Sequence, residues 1–143
     1  MNNINLRTVS DADAQFLTFI MNIDSVLNAL NEQPTKLGDW ADAIKEWSKD
    51  SDEEDYIISD GETPIGWIGI NGLESADKVA YLKLVAILPN YQNKEIGYYT
   101  IRQVVEMLRQ RNYLKMALYT DEKNFKAKAC YSKCGFEVTE TFI

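Results

Sequence analysis

Histidine is missing from the chain, and cysteine occurs only twice. Without an imidazole, Ser–His and Cys–His nucleophile pairs are excluded. Cys130 and Cys134 stand four residues apart on a predicted helix. Two thiols are too few for a disulfide framework, and with no second ligand pair and no histidine they do not make a metal site, so both read as buried free thiols and no metal is expected. Basic residues are in the minority, 15 against 22 acidic, for a net charge of −7. A phosphate-backbone binder needs the opposite surface, so nucleic acid is not an expected partner. No apolar run approaches the roughly 18 residues that a membrane span requires. The start, Met1-Asn2-Asn3-Ile4-Asn5, lacks the basic and apolar regions of a signal peptide. The expected setting is cytoplasmic, with no membrane partner. Internal repeats, low-complexity tracts and linkers are also lacking.

What is present suits one packed domain over residues 1–143, with 45% apolar and 26% charged residues. Ile4 to Val9 alternates as a first strand. Ser10-Asp11-Ala12-Asp13 supplies capping oxygens for a helix with Phe16, Leu17, Ile20 and Met21 on one face. A second helical region, carrying Ile23, Val26, Leu27 and Leu30, breaks at Pro34, and a third places Trp40, Ile44 and Trp47 on one face. Both tryptophans read as core. Asp50 to Asp55 is a dense acidic run, most simply a solvated loop, with long-range attraction of a cationic amine as the functional alternative. Tyr56 to Ser59 and Ile65 to Ile70 flank a turn cluster and form a hairpin.

Val79 to Leu88 is a nearly continuous apolar run, interrupted by Lys83, and suits a central strand covered on both faces. Pro89 ends it. From about Gly97, Ile101, Val104, Val105 and Leu108 recur at helical spacing. The backbone N–H groups of that helix's first turn lack intrahelical partners and favour an anion such as phosphate, although any α/β protein contains such a connection. Lys115 to Thr120 follows as a fifth strand, parallel to the fourth because a helix joins them. A last helix begins between Asp121 and Asn124 and ends at Gly135, and Phe136 to Ile143 completes the sheet.

Two stretches, residues 87–97 and 124–136, resemble the GCN5-related N-acetyltransferase (GNAT) superfamily. In the second, Asn124, Ala127, Tyr131, Gly135 and Phe136 all stand at the family spacing. In the first, Gln92 and Gly97 match, but Glu95 occupies the first glycine position of the pattern. Its Cβ and its charge would both stand where the family's backbone approaches a pyrophosphate. The carboxylate is expected to point to solvent.

The resemblance implies a mixed α/β fold: a mostly antiparallel sheet of six to seven strands with a parallel pair of strands four and five, and helices on both faces. It implies acetyl-CoA as acetyl donor and an amine acceptor, with a cationic one favoured by the acidic surface, and it allows a homodimer. Transfer is direct, so the missing histidine is no objection. Tyr131 is the implied general acid, a residue type protonated at neutral pH. The backbone of Val85, Ala86 and Ile87 would bind the pantetheine arm, which requires the sheet to splay after Ile87. Gln92, Asn93, Lys94, Glu95, Ile96, Gly97 and Tyr98 would form the pyrophosphate turn, and Asn124 would contact the cofactor or cap the final helix. The base is left open among water, Tyr119, Glu54 and Asp55; Lys83, when protonated, does not replace a carboxylate. The alternative is a non-catalytic binding or regulatory module of the same fold, with CoA binding impaired by Glu95.

Overall fold

The computed structural model describes residues 3–30, 33–92, 94–119 and 124–137. Its sheet runs in chain order, β1 (Ile4–Thr8), β2 (Glu54–Asp60), β3 (Thr63–Asn71), β4 (Val79–Ile87) and β5 (Lys115–Ala117). The first four strands pair antiparallel, and β4 pairs with β5 in parallel. Five strands are thus described where six to seven were expected. The expected last strand falls mostly on 138–143, outside the described residues, and the fifth is described as strand only to Ala117.

Two apolar layers sandwich the sheet because alternate residues of its strands face opposite ways. On one side, α4 (Ile96–Gln110) lays Ile96, Ile101, Val104 and Leu108 against Ile58, Ile68, Ile70 and Leu82, and α5 (Phe125–Lys133) adds Cys130 and Tyr131. On the other, α1 (Ala14–Ile20), α2 (Asp24–Leu30) and α3 (Leu37–Lys49) cover Ile57, Trp67, Leu84 and Ala86. Leu17, Ile20 and Ile44 are buried there at the spacing the sequence predicts.

A short 3-10 turn at Asp11–Asp13 leads into α1 and is fastened by Asp13, whose carboxylate takes Arg7 Nη1 and Nη2 at 2.8 and 2.7 Å and the Ser10 backbone N–H at 2.8 Å. Burial opposes the charge, but the Arg7 guanidinium and the Ser10 donors hold Asp13 below the usual carboxylate range.

Two irregularities in β4 shape everything near it. Gly69 pairs with Leu84 while Ile70 pairs with Leu82, so Lys83 is an extra residue, a β-bulge. The bulge turns Lys83 and Leu84 to the same face, toward α3. It is seated at Gly69, where a Cβ would stand 2.5 Å from Asp55 Oδ1 and 2.7 Å from Lys83 Cε. The second irregularity is the short ladder with β5: among the described residues the parallel pairing runs from Val79 to Tyr81. The expected splay after Ile87 falls opposite the residues that follow β5, of which 120–123 lie outside the described residues. A parallel neighbour at Val85 to Ile87 would consume the backbone groups that an added strand needs.

The acidic run is not the solvated loop it was expected to be. Asp55 is 4% exposed, because strand alternation from Ile57 turns it into the α3 face of the sheet. Asp52 ties the loop down by accepting the backbone N–H groups of Gly72 and Glu74 at 3.1 and 2.8 Å. Glu54 accepts both Arg111 nitrogens, at 2.8 and 2.9 Å.

Candidate active site

The direction of the peptide groups at the end of β4 can be read from its hydrogen bonds. Leu88 N–H donates to Ile65 O on β3 at 2.8 Å. By alternation the peptide groups of Ile87 and Val85 point the other way, toward the β5 side of the sheet, while Ala86 faces β3. Gln92 marks the end of this segment, its Nε2 donating to Ile87 O at 2.9 Å. At Gly66, opposite this segment, a Cβ would come within 2.3 Å of Ala86 O, so β3 approaches β4 closely because it carries no side chain there.

From Ile87 the chain turns through Pro89–Tyr91 and enters α4 at Glu95. Asn93 lies outside the described residues. Lys94 places its ammonium 5.6 Å from the Tyr91 ring centre. Glu95 adopts φ 63°, ψ 13°, the left-handed conformation. For a residue with a Cβ this costs about 1–2 kcal/mol, and it is the physical reason a glycine suits the position. The first bond of α4 is Tyr99 N–H to Glu95 O at 3.0 Å. The N–H groups of Ile96, Gly97 and Tyr98 are left without an intrahelical acceptor, at the positive end of a 15-residue helix.

The Glu95 carboxylate points to solvent as expected. It is ion-paired with Lys133 near the end of α5, and both are about half exposed. Lys133 Nζ also lies 4.6 Å from the Tyr98 ring centre. At Gly97 a Cβ would sit 3.5 Å from Ile87 Cδ1 and 3.7 Å from Cys130 Sγ. The first turn of α4 thus nests between the end of β4 and α5, and the three form one end of the molecule.

Tyr131 lies half-buried on α5, with its ring edge-on to Phe136 at 6.1 Å. Burial first, and then the neighbouring Cys130 and Cys134, push its hydroxyl up to about 12. It therefore keeps its proton throughout the neutral range. Asn124 caps α5, its side-chain oxygen accepting Ala127 N–H at 3.2 Å. Phe136 N–H closes the other end on Tyr131 O at 3.0 Å, with Gly135 at φ 100°.

A second constellation lies on the α3 face and was not singled out from the sequence. Lys83 reaches from the bulge to an ion pair with Glu53 and to 3.0 Å from Asp55 Oδ1, and its ammonium sits 4.3 Å from the Trp47 ring centre and 5.2 Å from that of Trp67. Burial first, then the Glu53 carboxylate, push Asp55 up to about 8 against the pull of Lys83. The signals available were a lone lysine inside an apolar strand and an aspartate in phase with Ile57. Of the residues left open as bases, Glu54 is committed to Arg111, and Tyr119 stacks its ring on Tyr81 at 6.1 Å.

Comparison with known proteins agrees with this fold. The spermidine N-acetyltransferase of Vibrio cholerae, solved with CoA and spermine, superposes with a TM-score of 0.84 at 20% identity, covering 92% of this chain and 79% of that one. An acetyltransferase from Thermus thermophilus gives 0.82 at 19% identity over 96% and 90% of the two chains. A transcriptional regulator from Bacillus halodurans gives 0.79 at 20% over 99% and 97%. At these identities the likeness is one of fold. No curated protein matches the sequence significantly. The model of the acetyltransferase (GNAT) family matches residues 23–136, most of the chain and both stretches that carry the resemblance, and by that match the protein belongs to the GNAT acetyltransferase family.

Proposed function

We propose that the chain transfers the acetyl group of acetyl-CoA directly to a primary amine of a small molecule, or of a protein or peptide, with Tyr131 as general acid. The observation that carries this reading is the continuous path from the outward-facing peptide groups of Val85 and Ile87 into the left-handed turn at Glu95 and the first-turn N–H groups of α4. The residues fit the cofactor in kind. Val85 and Ile87 offer backbone donors and acceptors to an amide-bearing arm in the manner of an added strand. Ile96, Gly97 and Tyr98 offer N–H groups to a diphosphate, with Asn93 and Lys94 in the same turn. Acetyl-CoA supplies an activated thioester. Tyr131, still protonated at neutral pH, holds the proton that a departing sulfur requires.

The test begins with isothermal titration of acetyl-CoA, with dephospho-CoA and ATP for comparison. Saturable binding is expected, followed by acetylation of an amine panel in which Tyr131→Phe lowers kcat about a hundredfold or more while leaving the affinity for acetyl-CoA within a few-fold. Absence of binding at millimolar acetyl-CoA would overturn the reading. The family's habit of pairing into homodimers belongs to the same proposal and is checked by analytical ultracentrifugation.

One observation favours a second reading, a binding module of the same fold without transferase activity: Glu95 brings a carboxylate to the turn meant for an anion. Its pairing with Lys133 counts against that reading, because the ammonium offsets the charge.

A further inference from the structure

Glu95 brings a carboxylate to the start of α4, directly before the first-turn N–H groups of Ile96, Gly97 and Tyr98. Its charge opposes an anion there, and its Cβ strains a left-handed backbone. Lys133 answers it from another helix. Its ammonium, carried by α5, is ion-paired with Glu95 and lies 4.6 Å from the centre of the Tyr98 ring. A cation is thus held at the turn by the residue that precedes the donors.

This pair is built to exchange. The two side chains are 50% and 56% exposed, so burial commits neither of them. Glu95 makes no side-chain cap bond to α4, which leaves its carboxylate to Lys133. The hydrogen bond from Lys133 to Glu95 holds the lysine above its ordinary range, and it stays charged at neutral pH. Lys94, the other cation of the turn, differs: it lies 5.6 Å from the Tyr91 ring centre and has no ion pair among the described residues.

We propose that Glu95 is an internal competitor for Lys133: the carboxylate occupies the ammonium while the turn is empty, and a diphosphate seated on the N–H groups of α4 takes it over. The inference rests on the acetyl-CoA reading of this turn, to which it adds Lys133 as a ligand and Glu95 as the residue that sets its availability. A diphosphate wins the exchange because it brings more charge and more acceptor oxygens than a carboxylate. Glu95 is then released to water. Salt weakens the resident pair as well as the incoming contact, so affinity should fall less steeply with salt in the natural protein than in Glu95→Gln.

The full chain is titrated calorimetrically with acetyl-CoA and with inorganic pyrophosphate, as the natural protein, Glu95→Gln, Lys133→Met and the double variant. Gln keeps the length of the side chain, and Met keeps an aliphatic stem beside Tyr98. Glu95→Gln should tighten both ligands about fivefold, the upper end of what an exposed ion pair is worth. Lys133→Met should weaken them about tenfold. The coupling decides the matter. With Met at 133, Glu95→Gln should gain less than about twofold, whereas in a Lys94→Met background the fivefold gain should persist.

Simple repulsion between Glu95 and the anion predicts the reverse, an equal or larger gain once Lys133 is gone, and that result overturns the proposal. An unchanged salt dependence in Glu95→Gln does the same. Both positions are half exposed, so circular dichroism should be identical across the set. Binding of acetyl-CoA with an additive cycle removes this inference and leaves the transferase reading standing. Absence of binding of either ligand in every variant overturns both.

Discussion

Asp13 and Asp55 are 5% and 4% exposed, and the fold treats them in opposite ways. Asp13 receives a two-pronged arginine and the Ser10 backbone N–H, and its proton affinity falls. Asp55 has no hydrogen bond to either oxygen and shares one lysine with Glu53, and its proton affinity rises to about 8. Burial alone therefore does not tell what a carboxylate is for. One held by several donors keeps its charge and fastens a turn, and one that shares a single lysine with a second carboxylate keeps its proton instead.

The largest expected effect comes from removing the satisfaction of Asp13. Arg7→Met should cost about 2 kcal/mol in chemical denaturation at neutral pH, below the usual cost of breaking a buried pair because Arg7 is itself 47% exposed. The loss should shrink as pH falls. Asp13 has a folded pKa below its unfolded one, so its stabilisation is present above about pH 4 and lost on acidification.

Asp55 should show the reverse sign. Its folded pKa lies above the unfolded value, so its contribution is whole below about pH 4 and lost as pH rises toward about 8. Asp55→Asn should therefore be more stable than the natural protein by about 1 kcal/mol or more at pH 8 and show no gain near pH 4. Urea melts across that range check both signs. A natural protein whose stability is flat from pH 5 to pH 8 would break the contrast.

The smallest effect sharpens the comparison with a third acid, one that is exposed. Glu95→Gly relieves the left-handed strain but loses the Lys133 pair and loosens the unfolded chain, so stability should change by less than about 1 kcal/mol. Affinity for acetyl-CoA should rise a few-fold by titration. A rise from undetectable to micromolar would instead favour the non-catalytic reading.

Much of this was legible in the chain itself. The apolar run of β4, the helical spacing of α4 and the Asn124 to Phe136 pattern located the strand–turn–helix and the parallel partner, because periodicity follows directly from which face is buried. The α3 face was not. Five acidic residues within six positions, Asp50 to Asp55 apart from Ser51, look alike in composition, and only strand phase and the bulge at Lys83 separate the buried aspartate from its more exposed neighbours. Glu95 departs from the family pattern in type, and its backbone stands in the left-handed conformation that glycine takes most readily.

Helix α4 is tethered at both ends, by Glu95 to Lys133 on α5 and by Arg111 to Glu54 on β2, over a length of about 22 Å. A rod held so cannot slide or tilt far toward an incoming anion, and its first-turn donors must be met where they stand. The ordering entropy of that turn is spent during folding, so an anion bound there should settle with little rearrangement of the backbone and little heat-capacity change beyond its own dehydration.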